Sequence, residues 1–534
     1  MIILLVVLVT IPTFYRMLRV GIYSMQDFHF FRLFEFDKCI KDLQIPCRWS
    51  PDVGLSFGEP LFNFYGQLSY AFGEIFALFG FSLIASLKLV FIASLVLSAI
   101  SMFYLAKHLW KSNFAGFLSA IIYLYAPYRA VDVWVRGALP ESVSFVFYPL
   151  IILFFEKYLA KQKKTDLLLF GLSVSALVVN HNLSFVLFLP FLVIWLIFRL
   201  IAKKAWKLIP GLLLTAVLSA GLIAFYVLPV VAESKYITLE STIVGYFDFK
   251  GHFVGIRQLF LSNNWGYGGS VFGPADGLNL SIGFVQWAIV LLTTIILVIK
   301  KQLHKNKSFL ILLLIFLVLV GLIHGKSVVF WQLIPQMAYI QFPWRFLGII
   351  VFTLALASGA IMQTLGKKYR YFVLVLTLIV SLFVNQKYFQ EDIWYTYTDA
   401  DLTTGEALTM QTRASIGDYW PNFSGISVDP APADTIFAKL ISKKSNEVIY
   451  EVATTDEQIS FPINYFPGWT AYSQGKKIET RPDSEGKIRI NAVNGQVVLK
   501  FTNTKVRTIG NIISLISLVG FVSLLIKSNL KKEK

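Results

Sequence analysis

The chain has 534 residues, of which 56% are hydrophobic and 15% charged, with a mean hydropathy of +0.65 and a net charge of +17. Soluble domains carry about 25% charged residues, so this composition excludes a disordered, collagen-like or ordinary cytosolic protein; two cysteines, Cys39 and Cys47, exclude a disulfide scaffold. Six short loops, at 107–112, 156–166, 199–207, 300–307, 367–370 and 527–534, hold 21 Lys and Arg against three acids, and the rest of the chain nets −1. That distribution marks the cytoplasmic loops of a multi-spanning membrane protein and not a nucleic-acid footprint.

A hydrocarbon core of about 30 Å needs roughly 20 apolar residues per helix. Such runs lie near 2–19, 82–106, 113–127, 141–158, 166–182, 183–201, 208–231, 279–299, 308–324, 345–365, 371–386 and 508–526. Twelve spans put every basic loop on one side with both termini inside. The first run has no basic leader and no small-residue cleavage site, so it reads as an uncleaved anchor. Arg16 and Arg19 at its outer end either snorkel to the interface or meet an outer-leaflet phosphate.

The first outer loop, 20–81, opens with Gln26-Asp27-Phe28-His29-Phe30-Phe31-Arg32. On a helix His29 and Arg32 share a face. Asp27 fits two roles, an N-cap and a general base that activates an acceptor hydroxyl at the membrane boundary. An amphipathic stretch at 28–43, like another at 252–262, has the pattern of an interfacial helix. Asp52, Glu59 and Tyr65 follow among aromatic residues that suit a sugar-binding or an interfacial surface. Cys39 and Cys47 are either a disulfide or packed thiols.

Lys88 falls inside the outer turns of the second span, and intramembrane charges mark functional candidates. In the outer segment 128–140, Arg136 and Glu141 either pair with each other or leave the Arg fork for a phosphate. Asn180-His181-Asn182 interrupts a long apolar run; three polar side chains at mid-membrane depth are costly, which places an outer hairpin there. His181 is a hydrogen-bonded helix-end residue or a catalyst. A long outer loop occupies 232–278. Phe342-Pro343-Trp344-Arg345-Phe346 sets Trp344 and Arg345 at the outer interface as an anchor or a cation site. Neither metal-ligand spacing, nor a Walker loop, nor a Ser-His-Asp set occurs.

Residues 387–507 change character. Alternating runs such as Val448–Val452 and Val497–Phe501, separated by Pro467-Gly468, Gln474-Gly475, Asp483–Gly486 and Asn494-Gly495, predict a small antiparallel β-sandwich, either carbohydrate-facing or packed on the rest of the chain.

Asp27-x-His29-x-x-Arg32, Pro46-x-Arg48-Trp49, Pro60–Tyr65, Tyr125-Ala126-Pro127-Tyr128, Arg136-Gly137-Ala138, His181-Asn182 and Phe342–Phe346 resemble, in this order, the bacterial membrane family named pyruvoyl-tetrahydropterin-synthase-related. Together with Tyr465-Phe466-Pro467-Gly468-Trp469 they are also similar to the YfhO-like proteins, and the resemblance covers nearly the whole chain. It implies membership of the GT-C glycosyltransferase superfamily, whose members use polyprenyl-phosphate-linked sugars at the outer face of the membrane. The superfamily plan has an acid in the first outer loop, seven core spans and a long outer loop after span seven.

The expected fold is therefore an all-α polytopic membrane protein of about 12 transmembrane helices with an extracytoplasmic β-sandwich-like domain before the last helix. Its expected units are a GT-C-like core at 1–231, the outer loop 232–278, a variable transmembrane module at 279–386, the β-rich domain at 387–507, and the last helix with its basic tail at 508–534. The resemblance implies that Asp27, assisted by His29, is catalytic, with Asp52 and Glu59 as reserve acids. Arg32, Asp52, Glu59, Tyr65, Lys88, Arg136, Glu141, His181, Asn182, Trp344 and Arg345 are the expected substrate-binding residues; Arg136, Lys88, Arg345 and Arg16 are those suited to a departing phosphate.

No cofactor is expected. Asp27 and His29 are two possible ligands for a divalent metal, too few to predict a site. The expected partners are a polyprenyl-phosphate-sugar donor, an envelope glycan or lipid acceptor and the bilayer, with no nucleic acid; the expected location is the plasma membrane. The rival functions are a transporter or flippase of lipid-linked envelope precursors, which would line a membrane-crossing path with its charges, and a non-catalytic glycan-binding scaffold.

Overall fold

Inside a bilayer no water pairs with the backbone, so apolar segments must satisfy their own polar groups and fold as helices. All twelve apolar runs are helical in the computed structural model, which describes residues 2–530 apart from 27, 274, 415–418, 426, 428, 454–457 and 492. Six helices are long and apolar enough to cross a membrane unaided: Leu83–Trp110, Leu139–Lys161, Asn182–Lys203, Pro343–Thr364, Lys367–Tyr388 and Lys505–Lys527. Three pairs, Asn113–Leu124 with Pro127–Arg136, Trp206–Leu222 with Ala224–Tyr236, and Lys307–Ile323 with Gly325–Leu333, bend by 55°, 69° and 80°. Counting each pair as one span gives up to nine candidate spans among the described residues. Ile2–Leu18, Phe284–Ile299 and the 17-residue Lys164–Asn180 are shorter than the roughly 20 residues that a crossing needs, so length alone does not reach twelve.

The chain is a membrane protein with several spanning helices, and their packing separates centre from perimeter. Pro343–Thr364 is 94% buried along its apolar window, whereas Lys505–Lys527 is 11% buried and turns Ile512, Leu515, Ile516 and Val519 outward. An apolar face of that size is stable against hydrocarbon and not against water.

The break between Leu222 and Ala224 frees backbone groups that the last helix satisfies. Ser514 Oγ donates to Gly221 O (3.0 Å) and accepts from the Phe225 N–H (2.8 Å). Gly510 makes the approach possible, because a Cβ there would lie 2.7 Å from Ala224 O.

The first outer segment is a packed body. Its helix His29–Lys41 buries Phe30, Phe31, Leu33 and Phe36 together with Glu35 and Asp37, so it sits within the protein and does not float on an interface as its amphipathic pattern suggests. Cys39 and Cys47 are joined by a disulfide. A two-residue strand, β1 (Ile22–Tyr23), pairs antiparallel with β2 (Trp394–Tyr395), tying the start of this segment to the chain that follows helix Lys367–Tyr388.

Residues 438–501 form two antiparallel sheets with a shared core. Sheet one orders β3 (Ala438–Lys443), β4 (Glu447–Val452), β10 (Gly495–Phe501), β6 (Trp469–Ser473) and β7 (Lys476–Ile478); sheet two orders β5 (Gln458–Asn464), β9 (Lys487–Asn491) and β8 (Arg481–Pro482). Alternation sends Val448, Tyr450 and Val452 of β4, Phe461 of β5, Ile488 of β9 and Leu499 of β10 inward. The expected strands and turns are present, and the unit is a small sandwich. Residues 387–414 consist of β2 and short helices, so the sheets begin later than the composition change.

The same core includes Trp49 and Phe64 from the first outer segment. Trp469 meets Trp49 edge-on, with centroids 5.3 Å apart. Pro467 O accepts from Arg507 Nη2 (2.9 Å), and Gly468, at φ +116°, leaves room for Arg507 Nη1, which a Cβ would meet at 2.6 Å. Arg507 is fully buried and donates through Nε to Glu233 Oε2 (3.0 Å). Asn63 and Thr504 also donate to that carboxylate, at 2.8 and 2.7 Å, and Arg48 donates to Asn63 Oδ1 at 2.9 Å. Burial, reinforced by the Arg507 charge, pulls the Arg48 guanidinium down to about 9. This joint binds the first outer segment, the bent helix pair, the β-rich unit and the last helix at one point.

Candidate functional site

His29 stands in the first turn of helix His29–Lys41, fully buried, with Nδ1 2.6 Å from the Tyr70 hydroxyl. One turn on, Arg32 lies with its guanidinium 4.5 Å from the centroid of the Tyr65 ring and donates to the Tyr65 hydroxyl at 3.2 Å. The shared face expected from the i, i+3 spacing is thus formed, and Tyr65 and Tyr70 close it. Asp27 lies outside the described residues. The N-cap position of the helix belongs to Phe28.

The second wall comes from the bend after Leu124. Pro127 starts the new direction, and Val131–Arg136 winds as a π-helix, a form that clusters at functional sites. Asp132 lies 3.9 Å from Arg129 and 3.5 Å from Arg136, which donates to Glu141 Oε2 at 2.7 Å. The other Glu141 oxygen accepts from the Tyr128 hydroxyl at 2.5 Å. The pairing of Arg136 with Glu141, one of the two readings of these residues, is present. Gly137 ends the helix at φ +64°; a Cβ there would lie 2.5 Å from Met25 Cβ. A side chain at 137 would therefore push the turn away from the residues just before Asp27.

The third wall is the break between helices Lys164–Asn180 and Asn182–Lys203. His181 is extended there (φ −157°, ψ 97°), and its Nδ1 lies 2.7 Å from Ser184 Oγ. Its ring interacts electrostatically with Glu141, Arg345, Arg136 and His29, which come from three other segments. Asn180 ties this wall down: it donates to Pro140 O (2.7 Å) and Ser144 Oγ (3.0 Å), and accepts from Ser69 Oγ (2.5 Å). Sequence reasoning used Asn180 only to mark a hairpin; its position at the end of an apolar run was the available signal. Asn182, expected at the site, is exposed and spends its side-chain oxygen on the Leu183 N–H at 2.8 Å.

Trp344 and Arg345 complete the fourth wall. The Arg136 guanidinium lies 5.0 Å from the Trp344 ring centroid. Trp344 Nε1 donates to Ser270 Oγ (3.1 Å), which is 2.7 Å from His252 Nδ1. The long loop 232–278 therefore contacts the site through Ser270 and His252, residues that no sequence motif singled out. Arg345 donates to Ile340 O (2.8 Å) and Gln341 Oε1 (2.9 Å).

Three further expected residues serve elsewhere. Lys88 Nζ donates to Arg19 O (2.6 Å) and Gly21 O (2.7 Å), fastening the β1 turn. Asp52 pairs with Lys38 and with Lys443 of the β-rich unit, the latter at 3.5 Å. Glu59 is fully buried in the loop closed by the Ser50–Glu59 bridge. Arg16, the remaining phosphate candidate, pairs with Glu391 at 3.2 Å, and Arg19 pairs with the same carboxylate. Among the described residues, no three His, Cys, Asp or Glu side chains gather in a metal-binding group.

No family model matches the chain, and no solved structure matches it. An uncharacterised protein of Lactococcus lactis subsp. cremoris (strain MG1363) is 24% identical over 242 residues, which cover 43% of this chain. The match spans 39% of that relative's own length.

Proposed function

We propose that the chain is a membrane glycosyltransferase that moves a sugar from a polyprenyl-phosphate-linked donor to an envelope glycan, polymer or lipid. The observation that supports this most is the assembly of His29, Arg136 with Glu141, His181 and Arg345 from four remote segments into one electrostatic neighbourhood. In this reading Asp27 takes the proton of the acceptor hydroxyl. The oxygen attacks the anomeric carbon, the bond from that carbon to the phosphate oxygen breaks, and the electron pair leaves on the phosphate. Arg136 and Arg345 stabilise the growing phosphate charge. Tyr70 fixes the His29 ring, and Trp344 and Tyr65 hold the Arg136 and Arg32 guanidinium groups over their ring faces.

The proposed topology has twelve spans, three of them shorter than a full crossing, with both termini cytoplasmic because the basic loops all fall on one side. The site and the β-rich unit then face outward from the plasma membrane. Contacts between that unit and the first outer segment support a packing role for its Trp469 face.

Mass spectrometry of lipids that co-purify with the wild type and with Asp27→Asn tests the reading. A polyprenyl-phosphate-sugar enriched in the variant is expected, since binding survives while turnover stops. If neither protein retains any such lipid after incubation with a panel of donors, the transferase reading fails.

A further inference from the structure

The 80° bend at His324 borders a second region, on the loop that also carries His252 and Ser270. The helix that ends at Ile323 continues after this turn as Gly325–Leu333. Its second part, Gly325–Leu333, buries Trp331 against Phe249 and Phe253 and leaves Val329, Phe330 and Leu333 exposed. Facing it, the loop 253–273 exposes Ile256, Leu261 and Phe272, and the two walls are joined by the Val254 N–H on Ile323 O at 3.0 Å. Between them is an open cavity of about 450 Å³, within the size range of ligand sites.

The polar groups around this cavity are biased in sign. Lys326 lines it, and Arg257 falls in sequence between the lining residues Gly255 and Gln258; both are exposed. His324 accepts the Lys326 N–H on Nδ1 at 3.2 Å, which places the ring proton on Nε2 as a further donor. Of the two acids nearby, only Asp248 meets a cation; Asp276 bonds neutral donors, which leave its charge in place. Asp276 accepts from the Gln258 amide and from the Val271 N–H (2.8 Å), and Asp248 pairs with Lys250 at 3.7 Å. Lys326 and Arg257 set against Asp276 leave one net positive charge within an apolar rim, and Lys307–Ile323 turns Leu310, Leu314, Leu317 and Val318 outward.

We infer that this cavity holds the headgroup of an anionic phospholipid, with the phosphate on Lys326, Arg257 and His324 and the acyl chains along Lys307–Ile323. The rim matches the amphiphile: cations at headgroup depth and apolar side chains below them. A zwitterionic lipid has no net charge to answer the cations, and a free phosphate leaves the apolar rim unused. The bound lipid is a fixed component that requires no turnover, so the inference stands or falls apart from the transferase reading.

Native mass spectrometry of the full chain in mild detergent tests it, with phosphatidylglycerol and phosphatidylcholine of identical chains as probes and inorganic phosphate as competitor. Phosphatidylglycerol is expected to persist as an adduct and phosphatidylcholine to be lost. Lys326→Gln and Arg257→Gln should each weaken the adduct about fivefold, the scale of one cation at a membrane surface. Lys476→Gln, an exposed lysine on β7, should leave it unchanged. Rising salt should strip the lipid from the wild type, a reading that needs no variant to fold. Equal retention of the two lipids, an adduct that survives both substitutions, or one insensitive to salt would overturn the assignment. Displacement by inorganic phosphate would also overturn it and give the site to a free anion.

Discussion

Glu35 and Asp52 lie side by side at the contact between the first outer segment and the β-rich unit, and their environments drive them apart. Burial, and then the Asp52 charge, push the Glu35 carboxyl up to about 8 from an ordinary 4.5. Burial acts on Asp52 in the same direction, but Lys443 and Lys38 outweigh it and hold that carboxyl below its usual 3.8. A raised carboxyl keeps a proton in the folded state that the unfolded chain gives up above 4.5. Its contribution is therefore complete below 4.5 and lost as pH rises toward about 8. Asp52 contributes above 3.8 and loses that contribution as pH falls through its depressed value. Thermal unfolding between pH 5 and about 8 should show falling stability in the wild type, with a flatter profile in Glu35→Gln. An unchanged slope in that variant would remove Glu35 as the cause. Nothing in the sequence separates these two acids, because the difference depends on Lys443, almost 400 residues away. Lys88 has the opposite history. A charge in an apolar helix reads as functional, yet its ammonium is spent on two carbonyls of a neighbouring turn, which is the local way to neutralise a buried cation.

Among the elements, Gly468 shows how a short motif becomes a joint. The turn between β5 and β6 needs φ +116° there, and a Cβ would press on Thr502 O and on Arg507 Nη1, both at 2.6 Å. The carbonyl cannot move without dragging the end of β10. Gly468→Ala should therefore loosen the β-rich unit from the last helix at a cost of about 1–3 kcal/mol. Limited proteolysis should then cut residues 438–501 faster while the membrane helices stay intact, and wild-type cleavage rates in the variant would refute the role. The strands and their turns were legible because period-two alternation and Gly-containing turns are local signals. Helix breaks were legible in part: Asn180–Asn182 announced one, and the apolar runs that end at 127 and 324 stop at two of the bends, but the bend at 223 lies inside an uninterrupted apolar run. The β1–β2 pair was not legible, since two residues carry no periodicity and their partners lie more than 370 positions apart. At the site, His29, Arg32, Arg136, Glu141, His181 and Arg345 were all read from sequence. Tyr70, Asn180, Ser270 and His252, which hold their surroundings in place, were not, because a lone Tyr, Asn or Ser in such a chain is chemically unremarkable until its partner is known.

At the scale of the molecule, the Glu233–Arg507 pair decides whether the chain behaves as one body. Glu233 ends the bent helix pair and Arg507 begins the last helix, and both are buried. Arg507 also reaches Pro467 O, while Asn63 carries the network to Arg48 and so into the first outer segment. Trp49 and Phe64 share the sandwich core, so loosening the joint should be felt in two regions at once. Removing one member of a buried ion pair strands the other and costs about 3–5 kcal/mol, whereas replacing both with neutral groups costs less. Arg507→Met should therefore raise amide exchange together in 44–64 and 463–473. Glu233→Gln on top of it should reverse part of that rise, because a neutral amide at that position leaves no unpaired charge beside Asn63 and Thr504. Exchange that rises only next to residue 507 would mean that the sandwich is held by its apolar contacts alone. In that case the first outer segment, with His29 and Arg32 on its helix, would keep its position against Arg136 and Glu141 without help from the last helix.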